Sequence, residues 1–342
     1  MKAVGLTEHG GVEVLKNLEL PDPVPGPGEV LVRVKAVGLN HLDLWIRKGL
    51  PHLKLAYPHL LGSDIVGEIA QLGEGVEDLK VGQKALLNPG ISCGHCEKCS
   101  LGEDNLCPRY HIYGEHISGG YGEYIAVPRR NILPYPTKLS FTEAACIPIV
   151  YQTAWQMLVT RARIRPGQVI LVHGASSGVG SAGIQIAKLF RCTVITTAGS
   201  EEKAGQALAL GADHVIEYKK ERLLEGVTRL VGKQKVDVVL EHVGKSVWKD
   251  SLLCLKWGGI LVTCGATTGY QAETDLRQIF FRQIQVLGST MGSRGSMYEI
   301  LRQVEAGHLK PVLSQVLPLD QAREAHRLLE SGQHFGKIVL EP

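Results

Sequence analysis

The chain has 342 residues, of which 37 are Lys or Arg and 34 are Asp or Glu, so its formal net charge is only +3. Its 44% hydrophobic and 21% charged residues exclude a disordered protein, and the balanced charge disfavours a nucleic-acid partner. No apolar run reaches the roughly 20 residues of a membrane span, and no signal peptide follows Met1. We therefore expect a cytoplasmic protein of about two domains that acts on a small molecule, without a nucleic-acid or membrane partner.

The first part of the chain is rich in short β-like runs that Gly and Pro interrupt. Residues 29–37 alternate apolar and polar side chains, as a half-buried strand does. Residues 65–70 and 84–87 give two further strands. This part is predicted to be an irregular all-β domain.

Beyond Val150 the pattern changes to apolar runs that alternate with helical stretches such as residues 181–189 and 201–210. Such alternation predicts an α/β fold with a parallel, doubly wound sheet. Its six strands are predicted at residues 169–173, 193–197, 214–217, 236–240, 260–263 and 285–288. The chain then ends with two helical patterns and a strand-like run at residues 337–341.

A glycine-rich turn follows the first of these strands and leads into a helix. Glycines let the backbone curl and approach a pyrophosphate, and the N–H groups of the helix start hold the negative charge. Because the strand, the helix and five more strands supply the context, the turn predicts a dinucleotide site. The predicted cofactor-binding residues of the turn are Gly174, Ala175, Ser176, Gly178, Val179 and Gly180.

The end of the second predicted strand indicates which dinucleotide binds. In an NAD site an acid about 20 residues after the turn binds the ribose hydroxyls, whereas residues 196–200 contain none. Ser200 and Lys203 are placed to donate to a 2′-phosphate, although Glu201 and Glu202 are adjacent acids. We predict NADP(H), with NAD(H) as the alternative.

Four of the eight cysteines lie close together in a lobe at about residues 88–110. Four thiolates at this spacing can surround one tetrahedral ion, and a closed set of sulfur ligands is typical of a structural zinc. An iron–sulfur cluster and free or disulfide-bonded thiols are the alternatives, but the last gap is too long for a ferredoxin-type run. The predicted ligands of one structural zinc per chain are Cys93, Cys96, Cys99 and Cys107.

Together these features resemble the medium-chain dehydrogenase/reductase superfamily over essentially the whole chain. The resemblance implies a catalytic, chaperonin-10-like β domain of residues 1–149 and 290–342, a Rossmann domain of residues 150–289 and an active site in the cleft between them. It also implies a homodimer or homotetramer, through strand pairing near Ile284–Gly288. The motifs that carry it are the runs at residues 27–32 and 119–124, the turn from Gly62 to Gly67, the four cysteines and the glycine-rich turn.

The chain departs from the zinc alcohol dehydrogenases of this superfamily at their catalytic zinc. The three ligand positions are occupied by Asn40, Ser63 and Ile149, and the position of the proton-relay hydroxyl by Leu42. We therefore expect no catalytic zinc. The alternative is an atypical zinc site assembled from His41, His59 and Asp64.

The segment at residues 40–49 is instead similar to the Asn-x-x-Asp-x-x-x-Arg-x-Gly segment of the zinc-free quinone oxidoreductases. The resemblance implies that Thr153 lies beside the nicotinamide and that Ser200, Lys203 and Tyr218 surround the 2′-phosphate. It also implies that Lys337 contacts the cofactor phosphates.

The preferred hypothesis is an NADP(H)-dependent reductase of quinones, enones or carbonyls that polarises its substrate by hydrogen bonds. Asn40 is the candidate that binds the substrate oxygen, His116 or water is the candidate proton donor, and Asp64 is the third candidate catalytic residue. One alternative is an alcohol dehydrogenase with atypical zinc ligands. The other is a dinucleotide-binding protein without turnover.

Overall fold

The computed structural model describes residues 1–51 and 53–342. Its strands are β1 (Lys2–Leu6), β2 (Leu15–Glu19), β3 (Glu29–Gly38), β4 (His59–Leu60), β5 (Asp64–Leu72), β6 (Lys84–Leu87), β7 (Gly90–Ile91), β8 (His111–Ile112), β9 (Tyr124–Pro128), β10 (Ile132–Leu133), β11 (Val169–Val172), β12 (Thr193–Ala198), β13 (His214–Glu217), β14 (Val236–Glu241), β15 (Leu255–Thr263), β16 (Gln285–Gly288), β17 (Leu313–Pro318) and β18 (Lys337–Glu341). Its α-helices are α1 (His41–Lys48), α2 (Glu97–Ser100), α3 (Phe141–Ala144), α4 (Pro148–Trp155), α5 (Gly178–Leu189), α6 (Glu201–Ala209), α7 (Leu223–Val231), α8 (Trp248–Cys254), α9 (Leu276–Arg282), α10 (Arg294–Glu305) and α11 (Ala322–Ser331).

The chain divides into two compact units. Unit 1 comprises residues 1–149 and 293–342, and unit 2 comprises residues 150–292. Within the described ranges, no helix is both long enough and apolar enough to span a bilayer.

Strand β3 is the centre of unit 1, because it pairs with β5, β9 and β18 in one seven-stranded sheet. Its predicted alternation is only partly kept, since Leu31, Ala36 and Val37 are buried as well as Val30 and Val32. A strand covered on both faces buries both of its side-chain rows. The pairing of β18 with β3 brings the last residues of the chain back to the first domain.

Helix α1 carries the Asn-x-x-Asp-x-x-x-Arg-x-Gly segment, and three of its motif residues build the fold. The buried Asp43 carboxylate accepts the backbone N–H groups of Asn40 (2.7 Å) and Gly62 (2.9 Å). The buried Arg47 guanidinium donates to Glu330 Oε1 at 2.6 Å on α11. Gly49 ends the helix at a φ of +95°, a conformation that favours glycine. These contacts tie α1 to the Gly62 turn and to α11.

Unit 2 confirms the predicted parallel sheet of six strands, in the order β13-β12-β11-β14-β15-β16. The chain starts at the central strand β11, continues outward through β12 and β13, and then returns to β14 on the other side of β11. The carboxyl ends of β11 and β14 therefore mark the topological switch point at which ligands bind in such sheets. Gly183 lets α5 pack closely, since a Cβ there would lie 2.8 Å from Leu240 Cδ1.

Candidate functional sites

The glycine-rich turn lies at this switch point and is fastened to the neighbouring strand β12. Gly174, at a φ of +61°, donates its N–H to Thr197 Oγ1 at 2.9 Å, and Ala175 donates to Thr197 O at 2.9 Å. Ser177 caps α5, because its Oγ accepts the N–H of Gly180 at 2.8 Å and donates to Gly174 O at 2.9 Å.

The geometry of the turn requires glycine at position 180. A Cβ on Gly180 would collide with the carbonyl oxygen of Gly174. The tight closure places the start of α5 at the sheet edge, where the first N–H groups of a helix attract an anion. Gly178 and Val179 form the first turn of this helix. The arrangement fits the diphosphate of a dinucleotide.

The structure brings together the residues predicted to surround a 2′-phosphate. Lys203 Nζ lies 3.5 Å from Ser176 Oγ, and Ser200 Oγ accepts the backbone N–H of Lys203 at 3.3 Å. The Tyr218 hydroxyl lies against Gly199, where a Cβ would be 2.5 Å from it. These side chains offer one ammonium and three hydroxyls beside the end of β12, which suits a phosphate monoester.

Of the two acids that argued against a phosphate, Glu201 is paired in the fold, whereas Glu202 lies near Lys203 and its negative charge raises the pKa of that lysine. Glu201 and Glu217 both pair with Lys220, at 3.6 and 2.9 Å. Sequence reasoning missed a further cation, the exposed Lys219. Its positive charge lowers the pKa of Lys203, which burial lowers as well. The three lysines (Lys203, Lys219 and Lys220) balance the three acids (Glu201, Glu202 and Glu217), so the placement of Lys203 beside the hydroxyls, and not the net charge, is what suits an anionic ligand. In the sequence, the adjacent lysines Lys219 and Lys220 after β13 could have indicated this cation.

Thr153 lies in α4 and is buried, with a side chain that is 6% exposed. Immediately after it the helix widens into a π-helical turn at Gln156–Arg161. Such turns are frequent at functional sites. The contact between Thr153 and a nicotinamide stays a prediction.

A buried polar cluster in unit 1 joins Asn40, Asp64 and Lys337. Asp64 Oδ2 accepts from Lys337 Nζ at 2.8 Å and from Asn40 Nδ2 at 3.0 Å, and Asp64 Oδ1 accepts the N–H of Ile149 at 2.7 Å. Lys337 Nζ also donates to Asn40 Oδ1 at 2.6 Å and to Leu39 O. Asp64 and Lys337 are only 0% and 4% exposed. Two of the three positions at which the resemblance places zinc ligands, Asn40 and Ile149, therefore contact a protein ion pair, whereas Ser63 Oγ donates to Tyr113 O at 2.6 Å.

This cluster corrects the expectation that Lys337 contacts the cofactor phosphates. An ammonium has three N–H donors, and those of Lys337 are directed to Leu39 O, Asn40 Oδ1 and Asp64 Oδ2. No donor is left for a phosphate oxygen in this arrangement. Sequence reasoning missed the contact because Lys337 and Asp64 are 273 positions apart.

The candidate histidines do not join this cluster. His116 Nδ1 accepts the N–H of Ile112 at 3.3 Å, its ring packs against His111, and burial lowers its pKa. His59 Nε2 lies 3.1 Å from Gly114 O, and His41 packs against Trp45. In the part of the chain that the structure describes, His41, His59 and Asp64 do not assemble into a set of potential metal ligands.

The four cysteines of the lobe do assemble into such a set. The Sγ atoms of Cys93, Cys96, Cys99 and Cys107 all lie within 4.8 Å of one another. Cys99 Sγ is 3.5 Å from Cys96 Sγ and 3.9 Å from Cys93 Sγ. Sulfur ligands at about 2.3 Å from a tetrahedral zinc are about 3.8 Å apart. The distances fit one zinc ion, and all eight cysteines are free thiols.

The surroundings of two of these sulfurs, those of Cys93 and Cys99, lower the thiol pKa and so favour the thiolate form that a metal requires, whereas the pKa of Cys96 is raised to about 11. Hydrogen bonds from the backbone N–H groups of His95 and Cys96 lower the pKa of Cys93 to about 5. Cys107 Sγ accepts the N–H groups of Cys93 and Arg109, each at 3.4 Å. A short loop whose N–H groups point at sulfur is preorganised for a cation.

Comparisons with known proteins agree with this architecture. The family models "Alcohol dehydrogenase GroES-like domain" and "Zinc-binding dehydrogenase" match residues 26–137 and 178–306. The chain is 30% identical to the quinone oxidoreductase of Homo sapiens, over 99% of this chain and 97% of that protein. A crystal structure of an NAD-dependent alcohol dehydrogenase is 49% identical, with a TM-score of 0.97 and 100% of both chains covered. A cobalt- and zinc-bound thermostable alcohol dehydrogenase from Pyrobaculum aerophilum is 35% identical, with a TM-score of 0.90 over 100% of this chain and 99% of that one.

The two matched domain types and the parallel sheet with its glycine-rich turn define an enzyme of the dehydrogenase/reductase class. The chain belongs to the medium-chain dehydrogenase/reductase superfamily, as its motifs predicted. It is an oxidoreductase, which removes the alternative of a protein without turnover.

Proposed function

We propose that the chain is an NADP(H)-dependent reductase of quinones, enones or reactive carbonyls. The observation that carries this proposal is the buried cluster of Asn40, Asp64 and Lys337, which presents a fixed protein cation beside an amide. An activated acceptor needs less polarisation than a simple carbonyl, so hydrogen bonds are sufficient for it.

The bound nicotinamide supplies the hydride, and the residues of the chain hold the substrate oxygen. The Asn40 amide, whose bond from Nδ2 to Gly38 O is long at 3.4 Å, donates to the substrate oxygen, and the charge of the nearby Lys337 ammonium stabilises the oxyanion that hydride transfer creates. Asp64 keeps the lysine in place through its 2.8 Å ion pair. Water or His116 supplies the proton that the oxyanion then takes up.

The cysteine lobe is proposed to hold one structural zinc per chain. Four sulfur ligands leave no open position for a substrate, so this metal fastens the loop between β7 and β8 and takes no part in the reaction.

We also propose a homodimer or homotetramer. Strand β16 pairs only with β15 among the described strands, and Val286 on it is exposed, as are Phe280 and Phe281 on α9. A second copy would cover this exposed edge and its apolar side chains.

The reaction itself tests the proposal. We expect kcat/KM for reduction of a quinone or an enone with NADPH to exceed kcat/KM for oxidation of a primary alcohol with NADP⁺ by about a hundredfold or more, because hydrogen bonds alone polarise a simple alcohol poorly. The measurement is the change in nicotinamide absorbance with each substrate. Faster alcohol oxidation, abolished when metal is removed without unfolding, would contradict the proposal.

The choice of cofactor is tested separately at Lys203. We expect Lys203→Ala to weaken NADPH binding by about tenfold or more and to leave NADH binding unchanged, since only NADPH carries the 2′-phosphate. Lys188→Ala is the matched control, because Lys188 lies at the carboxyl end of α5, away from the glycine-rich turn, and pairs there with Asp213. Tighter binding of NADH than of NADPH to the unaltered protein would refute the NADP(H) assignment.

The second candidate function is an NAD-dependent alcohol dehydrogenase. It is favoured by the name of the structure that is 49% identical to this chain. The two experiments above distinguish the candidates, because this one requires NAD⁺ and an alcohol as the preferred pair.

A further inference from the structure

His242 is the first residue beyond the carboxyl end of β14, and it faces the glycine-rich turn. Its Nε2 lies 2.9 Å from the carbonyl oxygen of His173 and 3.3 Å from Ser177 Oγ. A Cβ on Gly174 would be only 3.3 Å from His242 Cε1. The half-buried imidazole therefore lies between the two strand ends that form the switch point of the sheet.

The hydrogen bonds fix the ring and its neutral tautomer. The carbonyl of His173 can only accept, so Nε2 of His242 carries the hydrogen and donates it. In the neutral ring Nδ1 then has a lone pair instead of a hydrogen. Protonation would give Nδ1 a hydrogen to donate without disturbing the bond of Nε2.

The backbone that follows His242 is held by Glu241. Its buried carboxylate accepts the N–H groups of Val243 (2.6 Å) and Gly244 (2.5 Å), and the hydroxyl of Thr263 (2.9 Å). Through these hydrogen bonds Glu241 fixes the backbone after β14 and so holds His242 at the carboxyl edge of the sheet.

Few charges face the imidazole from the packed elements. From β14 the negative charge of Glu241 acts on it, while burial lowers the pKa of His242. Beyond β11, burial lowers the pKa of His173 to about 3, so that ring is neutral. After β15, burial raises the pKa of the Cys264 thiol to about 12, and Ser177, the N-cap of α5, is uncharged. An arriving diphosphate would be the largest charge in this environment.

We propose that His242 is a diphosphate-binding residue of the dinucleotide site, and that its imidazole takes up one solvent proton as the diphosphate binds. An anion beside the ring favours the imidazolium, whose Nδ1–H donates to a phosphate oxygen. Affinity for the cofactor therefore rises as the pH falls. The inference rests on the dinucleotide binding proposed above.

Calorimetric titration with ADP-ribose tests this inference, because that probe has the diphosphate but neither the 2′-phosphate nor the nicotinamide. For the unaltered protein we expect proton uptake, seen as a binding enthalpy that depends on the buffer, and a Kd that falls from about pH 8 to about pH 6. In His242→Gln, which keeps a donor for His173 O, we expect no proton uptake and a Kd about tenfold higher at the lower pH.

His214→Gln is the matched control, since His214 begins β13 at the opposite edge of the same sheet. Equal proton uptake and equal pH dependence in His242→Gln and the unaltered protein would overturn the inference. If His242→Gln does not fold, the titration of the unaltered protein is sufficient as a test: binding of ADP-ribose without proton uptake overturns the inference. Failure of the unaltered protein to bind either ADP-ribose or NADPH would contradict the proposed function, and the inference with it.

Discussion

Lys337→Met is expected to lower the free energy of unfolding by about 3–5 kcal/mol, because it leaves the Asp64 carboxylate buried without its cation. Asp64 is 0% exposed and Lys337 is 4% exposed, so water cannot replace the lost partner. Urea unfolding followed by circular dichroism measures the effect. We expect the variant to lose reductase activity as well.

A double variant separates the unpaired charge from the loss of packing. Lys337→Met combined with Asp64→Asn contains no buried charge, so it should recover at least half of the lost stability. Lys256→Met is the control, since its pair with Asp237 is 48% and 10% exposed and should contribute less than about 1 kcal/mol. A Lys337→Met variant as stable as Lys256→Met would show that the buried pair is not needed by the fold.

Cys99→Ser is expected to reduce the zinc content from one ion per chain to nearly none and to unfold the cysteine lobe. Cys99 Sγ lies within 4 Å of two other sulfurs, at 3.5 and 3.9 Å. The regular structure described in the lobe is limited to the short helix α2, a 3-10 turn at Asp104–Leu106 and a two-stranded ribbon. Structural zinc contributes about 10–16 kcal/mol in zinc-finger peptides. Metal analysis and limited proteolysis within residues 88–110 measure the two effects.

Cys192→Ser is the control for the metal experiment. This buried thiol of unit 2 donates to Arg165 O at 3.3 Å, a bond that a hydroxyl can keep, so zinc content should stay unchanged. An iron-containing chromophore in the purified protein would contradict the zinc assignment. So would a Cys99→Ser variant that retains both its zinc and its resistance to proteolysis.

Sequence patterns predicted the parallel sheet because each β-branched run and each helical repeat reflects the local surroundings of its own residues. The cysteine lobe was predictable for a similar reason. Cys93, Cys96, Cys99 and Cys107 lie within one short stretch, so the spacing alone brings their sulfurs together. The glycine-rich turn is local as well, since Gly180 must avoid the carbonyl of Gly174 only six positions earlier.

The roles of single polar residues were less predictable. Asp43 and Arg47 belong to a motif that resembles an enzyme segment, yet one ties α1 to the Gly62 turn and the other to α11. Arg47 meets Glu330 across 283 positions of sequence. A motif indicates which residues are required at a site, whereas only their partners show whether they serve the fold or the reaction.

The sequence by itself determined the superfamily, the sheet, the glycine-rich turn and the grouping of the four cysteines, because these depend on short-range spacing and periodicity. The tertiary structure decided that Lys337 pairs with Asp64 and that His242 faces Gly174. Both depend on which strands become neighbours: β18 joins β3, and β14 joins β11. Strand neighbours are selected by the burial of the whole core, a sum over residues distant in sequence that no local pattern contains.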